Sequence, residues 1–427
     1  MIMNNKGIIS LSPLLLFVVL YLSASIIAED FYKVPVAVMF IASSVYAIAL
    51  SRDIPLNKRI ETFCRGTGNK DIMMMICIFI FAGAFANSAK EMGCIDATVS
   101  LALDLLPGNM LFAGLFVTAC FISLSVGTSV GTIVALTPIA TGIATSTGTD
   151  VAFVVAIIAG GAFFGDNLSF ISDTTIVATS TQGCKMSDKF IVNSLITMPV
   201  AVVVLCIYIA EGWDLQSTMT TDSIQYIKVI PYLFILVTAV CGMNVLATLI
   251  MGTVMTGIIG LCYGTYDLIS WLSAINTGIC GMSELIIITM TAGGLLELIR
   301  RNGGIEYIIK VATRRIRQKR GAELVIAALV SMVNICTANN TIAILTVGDI
   351  AKNIGNSHGV DKRKCASILD TFSCCTQGLL PYGAQLLLAA TLSGLSPLAI
   401  LGYMYYPMAL FVASTVAILF RYPRKYS

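Results

Sequence analysis

One stretch of this chain concentrates the side chains that ion chemistry needs. Gly160-Gly161-Ala162-Phe163-Phe164-Gly165-Asp166-Asn167-Leu168-Ser169-Phe170-Ile171-Ser172-Asp173-Thr174-Thr175 sets two carboxylates, an amide and four hydroxyls inside an apolar run. Ionisable groups within a membrane crossing are costly and mark ion pathways or proton relays. A helix interrupted there exposes backbone carbonyls, which membrane depth tolerates only where protein or a wet cavity satisfies them. Carboxylate, hydroxyl and carbonyl oxygens gathered at such a break suit a dehydrated Na⁺. Asp166 is expected to follow the C-terminal end of a first half-helix. The helix dipole there favours a bound cation, and burial lets a proton compete with it. Asp173 is expected at the start of a second half-helix beside Ser172, where plain helix capping competes with ion binding as its role. Asn167, Ser169, Ser172 and Thr174 complete the candidate donors.

Two further polar clusters lie inside apolar stretches. Thr128 and Ser129 fall within residues 109–145, and Asn339, Asn340 and Thr341 within residues 321–355. Helices starting just after them would aim backbone N–H groups at a site, an arrangement that suits an anion as well. Close packing of small residues between helices is the structural alternative. Gln377-Gly378-Leu379-Leu380-Pro381-Tyr382-Gly383 interrupts a later crossing without any acid, so it shapes a cavity rather than titrates. Asp370 either joins the site or stands at a helix entrance. Glu297 is read as a surface partner of Arg300 and Arg301.

The elements that hold these residues follow from composition. The chain has 427 residues, 57% hydrophobic and 11% charged, with a mean hydropathy of +0.89. Soluble domains carry about 25% charged residues, so lipid is the main solvent and an all-α membrane protein is expected. The net charge of +3 decides little, and membrane lipid rather than nucleic acid is the expected surroundings. The thirteen cysteines lie mostly in apolar runs without zinc spacing, which reads as reduced, buried thiols. His358 is the single histidine and builds no metal site or relay. No cofactor is expected. Residues 8–28 read as a retained first crossing rather than a cleaved signal.

Crossings are expected at 8–28, 34–51, 71–92, 151–180, 190–210, 227–243, 245–264, 281–299, 365–392 and 398–420. The stretches 109–145 and 321–355 are too long for one simple helix. Read as hairpins, with both termini cytoplasmic, they put 23 of the 26 Lys and Arg inside and leave Lys33, Lys90 and Lys228 outside. Read as single broken crossings, they even the split to 14 against 12. Positive-inside bias favours hairpins, or two short crossings of the same parity. The segment 305–320 reads as a basic helix on the cytoplasmic headgroups.

The halves match weakly at an offset near 210. Ala82-Gly83 answers to Ala292-Gly293, Gly93 to Gly303, and Lys90 to Arg300. The inferred orientations of Lys90 and Arg300 are opposite. Residues 1–215 and 216–427 are therefore read as two inverted repeats, each of five crossings and one re-entrant hairpin with broken helices. Such repeats characterise alternating-access carriers.

Phe164-Gly165-Asp166-Asn167-Leu168-Ser169-Phe170-Ile171-Ser172-Asp173-Thr174-Thr175 resembles the signature of the NhaC family of Na⁺/H⁺ antiporters, within the ion transporter superfamily. Gly127-Thr128-Ser129-Val130-Gly131-Thr132, Ala338-Asn339-Asn340-Thr341 and Leu380-Pro381-Tyr382-Gly383 support it, and the likeness spans about residues 70 to 420. The resemblance implies a multi-pass protein of the bacterial inner membrane that exchanges Na⁺ for H⁺, with Asp166 and Asp173 as leading ion ligands. It also implies a homodimer working by an elevator-like shift. Phe170 stands where the family has proline, and Tyr382-Gly383 replaces Trp-Asn. The alternative cargo is a small organic acid or amino acid coupled to Na⁺ or H⁺. An intramembrane aspartyl protease needs two acids meeting from different helices, whereas here both lie on one segment. A passive channel would betray itself by turnover far above carrier rates.

Overall fold

The computed structural model describes residues 3–27, 35–105, 108–169, 172–213, 225–241, 243–313 and 318–426. Among these residues the regular structure is helical throughout. Seven stretches among the described residues are long and apolar enough to cross a membrane. Lys33, Phe170, Arg314, Arg315 and Arg317 lie outside the described residues.

The first half runs α1 (Met3–Ile27), α2 (Val36–Leu50), α3 (Leu56–Thr67), α4 (Lys70–Met92), α5 (Cys94–Leu105), α6 (Leu111–Val126), α7 (Ser129–Thr147), α8 (Val151–Leu168), α9 (Asp173–Gln182) and α10 (Met186–Glu211). The second runs α11 (Tyr226–Val240), α12 (Val245–Cys262), α13 (Leu268–Gly281), α14 (Ser283–Arg301), α15 (Gly304–Thr313), α16 (Lys319–Thr337), α17 (Asn340–His358), α18 (Lys362–Gly378), α19 (Ala384–Ser393), α20 (Pro397–Leu401) and α21 (Tyr405–Leu419).

The stretch 109–145 folds as two arms. Phe112 meets Phe153 edge-on at 5.1 Å, and a Cβ on Gly161 or Gly165 would overlap Ala119 or Ser123 respectively. Residue numbers rise together along this contact, so α6 runs parallel to α8. Helix α7 turns straight into α8 through residues 148–150, while its first residue, Ser129, bonds Asp166 near the far end of α8. It is therefore antiparallel to α8 and to α6, with a tip at Gly127-Thr128. Gly127 closes α6 at φ 74°, a left-handed conformation that glycine adopts without a Cβ clash.

The second long stretch repeats this arrangement. Asn334 Nδ2 donates to Ser373 O at 2.7 Å and Gln377 Nε2 to Ala338 O at 3.0 Å, which sets α16 parallel to α18. Helix α17 turns into α18 through residues 359–361 and comes back antiparallel. The hairpins then clasp one another's partners: α7 packs on α19 and α17 on α9. Gln182 Nε2 reaches Gly348 O at 2.8 Å and Gln385 Nε2 reaches Ser129 Oγ at 3.2 Å.

Several expectations change. Residues 52–70 are no plain loop: Leu56–Thr67 form α3, which lays Gly66 against Gly293 and Gly294 of α14. Helix α13 precedes α14 and meets α4 at the contact of Gly278 with Gly83. Helix α3 is short and rich in charge, so hydropathy passes over it, whereas α13 runs on into α14 as one apolar stretch, Leu268–Arg301. The basic segment 305–320 is helical over Gly304–Thr313, with Ile305 and Ile308 buried. The stretch 398–420 divides into α20 and α21. Glu297 lies 3.9 Å from Arg65, while Arg301 donates to Thr62 Oγ1, so the short-range pairing within α14 is replaced by contacts to α3. Lys189 and Lys364, counted as loop charges, are each 1% exposed.

Candidate functional site

In the expected crossing 151–180, α8 ends at Leu168 and α9 begins at Asp173, so the first half-helix ends after the glycines rather than among them. Gly160, Gly161 and Gly165 stay helical; the missing side chains of Gly161 and Gly165 let α6 press against α8, while Gly160 faces Tyr406 of α21. Asp166 accordingly lies in the last turn of α8, which continues to Leu168. Ser172 is the N-cap of α9, its hydroxyl accepting from Thr175 N at 3.3 Å. The capping role considered for Asp173 thus belongs to its neighbour. Thr175 Oγ1 donates to Ser169 O at 2.8 Å, and Ser172 Oγ to Asp166 O at 3.2 Å, so the break is bonded across its own ends.

Asp166 is 5% exposed, and its Oδ1 accepts the Ser129 N–H at 2.9 Å. Thr128, the N-cap of α7, makes no side-chain cap of its own. A carboxylate from another helix thus fills that end, where unsatisfied N–H groups and the helix dipole both favour negative charge. The second tip differs. Asn339 caps α17 by itself, with Oδ1 accepting Ile342 N at 3.0 Å, and Ala338 takes the left-handed position at φ 48°.

A cavity of ≈410 Å³ joins these features. Asp166, Ser172, Asp173 and Thr174 line it from the break, Thr128 and Ser129 from the first tip, and Asn339, Asn340 and Thr341 from the second. Asp173 is exposed there. Gln377 and Gln385, either side of the second break, close the wall and bond to each other at 2.8 Å. Asn167 and Ser169 are not on the wall. Asn167 is fully buried with Nδ2 on Phe163 O, and Ser169 Oγ tethers the break to Leu124 O.

Behind the wall lies a charge pair that the sequence reading missed. Lys189 Nζ on α10 lies 2.8 Å from Asp370 Oδ2 on α18, at 1% and 0% exposure. The same ammonium donates to Asn167 O at 2.7 Å and Thr175 Oγ1 at 2.6 Å. Asn193 Nδ2 donates to Asn167 O and Asp370 Oδ2 at 2.9 and 2.8 Å. Asp370 therefore sits mid-helix within protein, not at an entrance. Removing one member of such a pair costs about 3–5 kcal/mol, because the other is left buried and uncompensated. A signal was present: Lys189, Asn193 and Thr197 recur every fourth residue, the spacing of one helix face.

Comparison with known proteins agrees with the motif. The sequence profile of the Na⁺/H⁺ antiporter family matches residues 7–213 and 214–423. The Na⁺/H⁺ antiporter NhaC of Alkalihalophilus pseudofirmus is 24% identical over 61% of this chain, an alignment spanning 63% of that relative's length. The Na⁺/H⁺ antiporter NhaC of Bacillus subtilis is 23% identical over 84% of this chain and 85% of its own. The malate-2H⁺/Na⁺-lactate antiporter of the same organism is 18% identical over 82% and 81%. Among solved structures, the YdaH transporter of Alcanivorax borkumensis aligns over 81% of this chain and 85% of its own at 13% identity, with a TM-score of 0.40. The profile covers nearly the whole sequence, and the chain belongs to the Na⁺/H⁺ antiporter family.

Proposed function

We propose that this protein exchanges Na⁺ for H⁺ across a bacterial membrane, with the two ions competing at Asp166. One observation carries the reading: a carboxylate 5% exposed lines a cavity whose walls come from a broken helix and both hairpin tips. Asp166 supplies the charge, while Ser172, Thr174 and the exposed Asp173 supply further oxygens around the same space. A cation and a proton both neutralise a buried carboxylate, so each excludes the other.

Alternating access is part of the proposal, and the packing supports it. Helix α4 lies on α13 much as α14 lies on α3, and the two hairpins clasp reciprocally. Gly293 abuts Ile72 and Gly83 abuts Met282, so α4 and α14 run antiparallel. Met74, Met75 and Ile78 of α4 line the Asp166 cavity. Glu284, Leu285 and Ile288, each 210 residues further along, line a second cavity of ≈490 Å³ with Leu387, Ala390 and Thr391 of α19. Along antiparallel helices, matching positions lead toward opposite ends. We read residues 1–215 and 216–427 as inverted repeats and the second cavity as the vestibule of the opposite-facing state. The resemblance adds a homodimer, an elevator-like shift and cytoplasmic termini to the same reading.

A second reading rests on size. A volume of ≈410 Å³ is within the range of small-molecule pockets, and two helix N-termini border it. A small organic acid is the cargo in that case, as the name of the malate/lactate relative suggests. Proteoliposomes loaded with a pH indicator distinguish the two. Proton flux driven by Na⁺ alone supports antiport of ions, flux requiring an organic acid supports the second reading, and no flux under either condition rejects both.

A further inference from the structure

We propose that the Lys189 ammonium is a built-in cation filling a second cation site, formed by Asn167 O, Thr175 Oγ1 and Asp370 Oδ2. The inference rests on the ion-exchange reading of the Asp166 cavity and says what stands behind it. Three oxygens converge on Nζ at 2.6, 2.7 and 2.8 Å: a hydroxyl, a carbonyl and a carboxylate. Hard cations take that mixture of ligands. The carbonyl belongs to the last turn of α8, the negative end of its dipole, where positive charge is favoured.

Each donor of the ammonium is used, since –NH₃⁺ has three and the structure gives it three acceptors. Asn193 holds the carbonyl and the carboxylate together through one Nδ2. Among the described residues, the side-chain oxygens of Asn167 and Asn193, two residues of this cluster, are buried without a hydrogen-bond partner. Lys189 and Asp370 are not on the wall of the Asp166 cavity. The tethered cation therefore stays with the protein through a cycle, and Asp166 remains the carboxylate that loads from the cavity. Number of ions carried and charge moved per cycle are set by a lysine that does not travel.

The test counts ions in the purified full-length protein by equilibrium binding of radioactive Na⁺. Lys189→Ala is expected to bind about one additional Na⁺ per chain, because the vacated oxygens accept a free ion. Its melting temperature is expected to climb with added Na⁺, K⁺ or ammonium, since a ligand that binds only the folded state stabilises it. Combining Lys189→Ala with Asp370→Asn removes both charges and is expected to restore the parental count. A Lys189→Ala protein whose ion count and stability ignore added cations overturns the proposal, whether it folds or not. A second ion persisting in the double variant overturns it too. Asp166→Asn, measured alongside, reports on the cavity site separately: unchanged binding there sinks the exchange reading.

Discussion

The two broken helices differ more in charge than in shape. Both follow the N-terminal caps of long helices, Asp150 for α8 and Asp361 for α18, and both break beside a hairpin tip. The first break carries Asp166, Ser172, Asp173 and Thr174 around the cavity; the second offers Gln377 and Gln385. The first tip leaves Ser129 N–H to Asp166, whereas the second satisfies its own N–H groups through Asn339. The first break thus presents acids to the cavity and the second only neutral amides. The difference lies in a few side chains set on similar helix–hairpin arrangements.

Removing the acid breaks that contrast most severely. Asp166→Asn is expected to lower Na⁺-driven proton flux by about a hundredfold or more, since an amide neither exchanges a proton nor balances a cation. Gln377→Leu, in the neutral break, is expected to cost about tenfold, the scale of its two neutral hydrogen bonds to Ala338 O and Gln385 Oε1. Flux measurements on both in proteoliposomes check the asymmetry, and equal losses would erase it. Next in size is packing. A Cβ on Gly165 meets Ser123, whereas α18 carries Cys374 at the matching offset of about 209. Gly165→Val is expected to destabilise the protein by about 2–3 kcal/mol through overpacking. A thermal melt reads it.

Two smaller effects concern the second half. Ala338 holds a left-handed turn at φ 48°, where Gly127 serves the first tip. Ala338→Gly is expected to stabilise by about 1 kcal/mol, a gain glycine makes only at positive φ; a lower melting temperature would contradict it. Asp361 caps α18 through Arg363 N at 2.8 Å and takes two bonds from the Arg363 guanidinium, at 3.0 and 2.7 Å. Those bonds hold its carboxyl below the usual carboxylate range. Its contribution is therefore present above the unfolded-state value, about 3.9, and is lost as pH falls through the folded one. Asp361→Ala is expected to cost about 1 kcal/mol near neutrality, with the difference from parent shrinking in acid.

Much of this was legible because the membrane punishes exceptions. Glycines, amides and acids inside apolar runs marked both breaks and both tips. Nine of the eleven residues named for the site line one cavity: Thr128, Ser129, Asp166, Ser172, Asp173, Thr174, Asn339, Asn340 and Thr341. The break was placed too early because glycine reads as interruption, while here it serves helix contact. Lys189 escaped for a related reason. A lysine near the start of a crossing reads as loop charge, and only its tertiary partner Asp370, 181 residues away, reveals the burial. Helix α3 is hidden because a short, charged amphipathic helix lacks the long apolar run that reveals a crossing, and α13 because it is continuous in hydropathy with α14.

The most direct measurement is proton release on adding Na⁺ to purified protein in weak buffer. If both ions share Asp166, Na⁺ displaces protons from the parent, and Asp166→Asn, still folded, releases none. Release of equal size from the Asn protein would place the exchange elsewhere and end the case for Asp166.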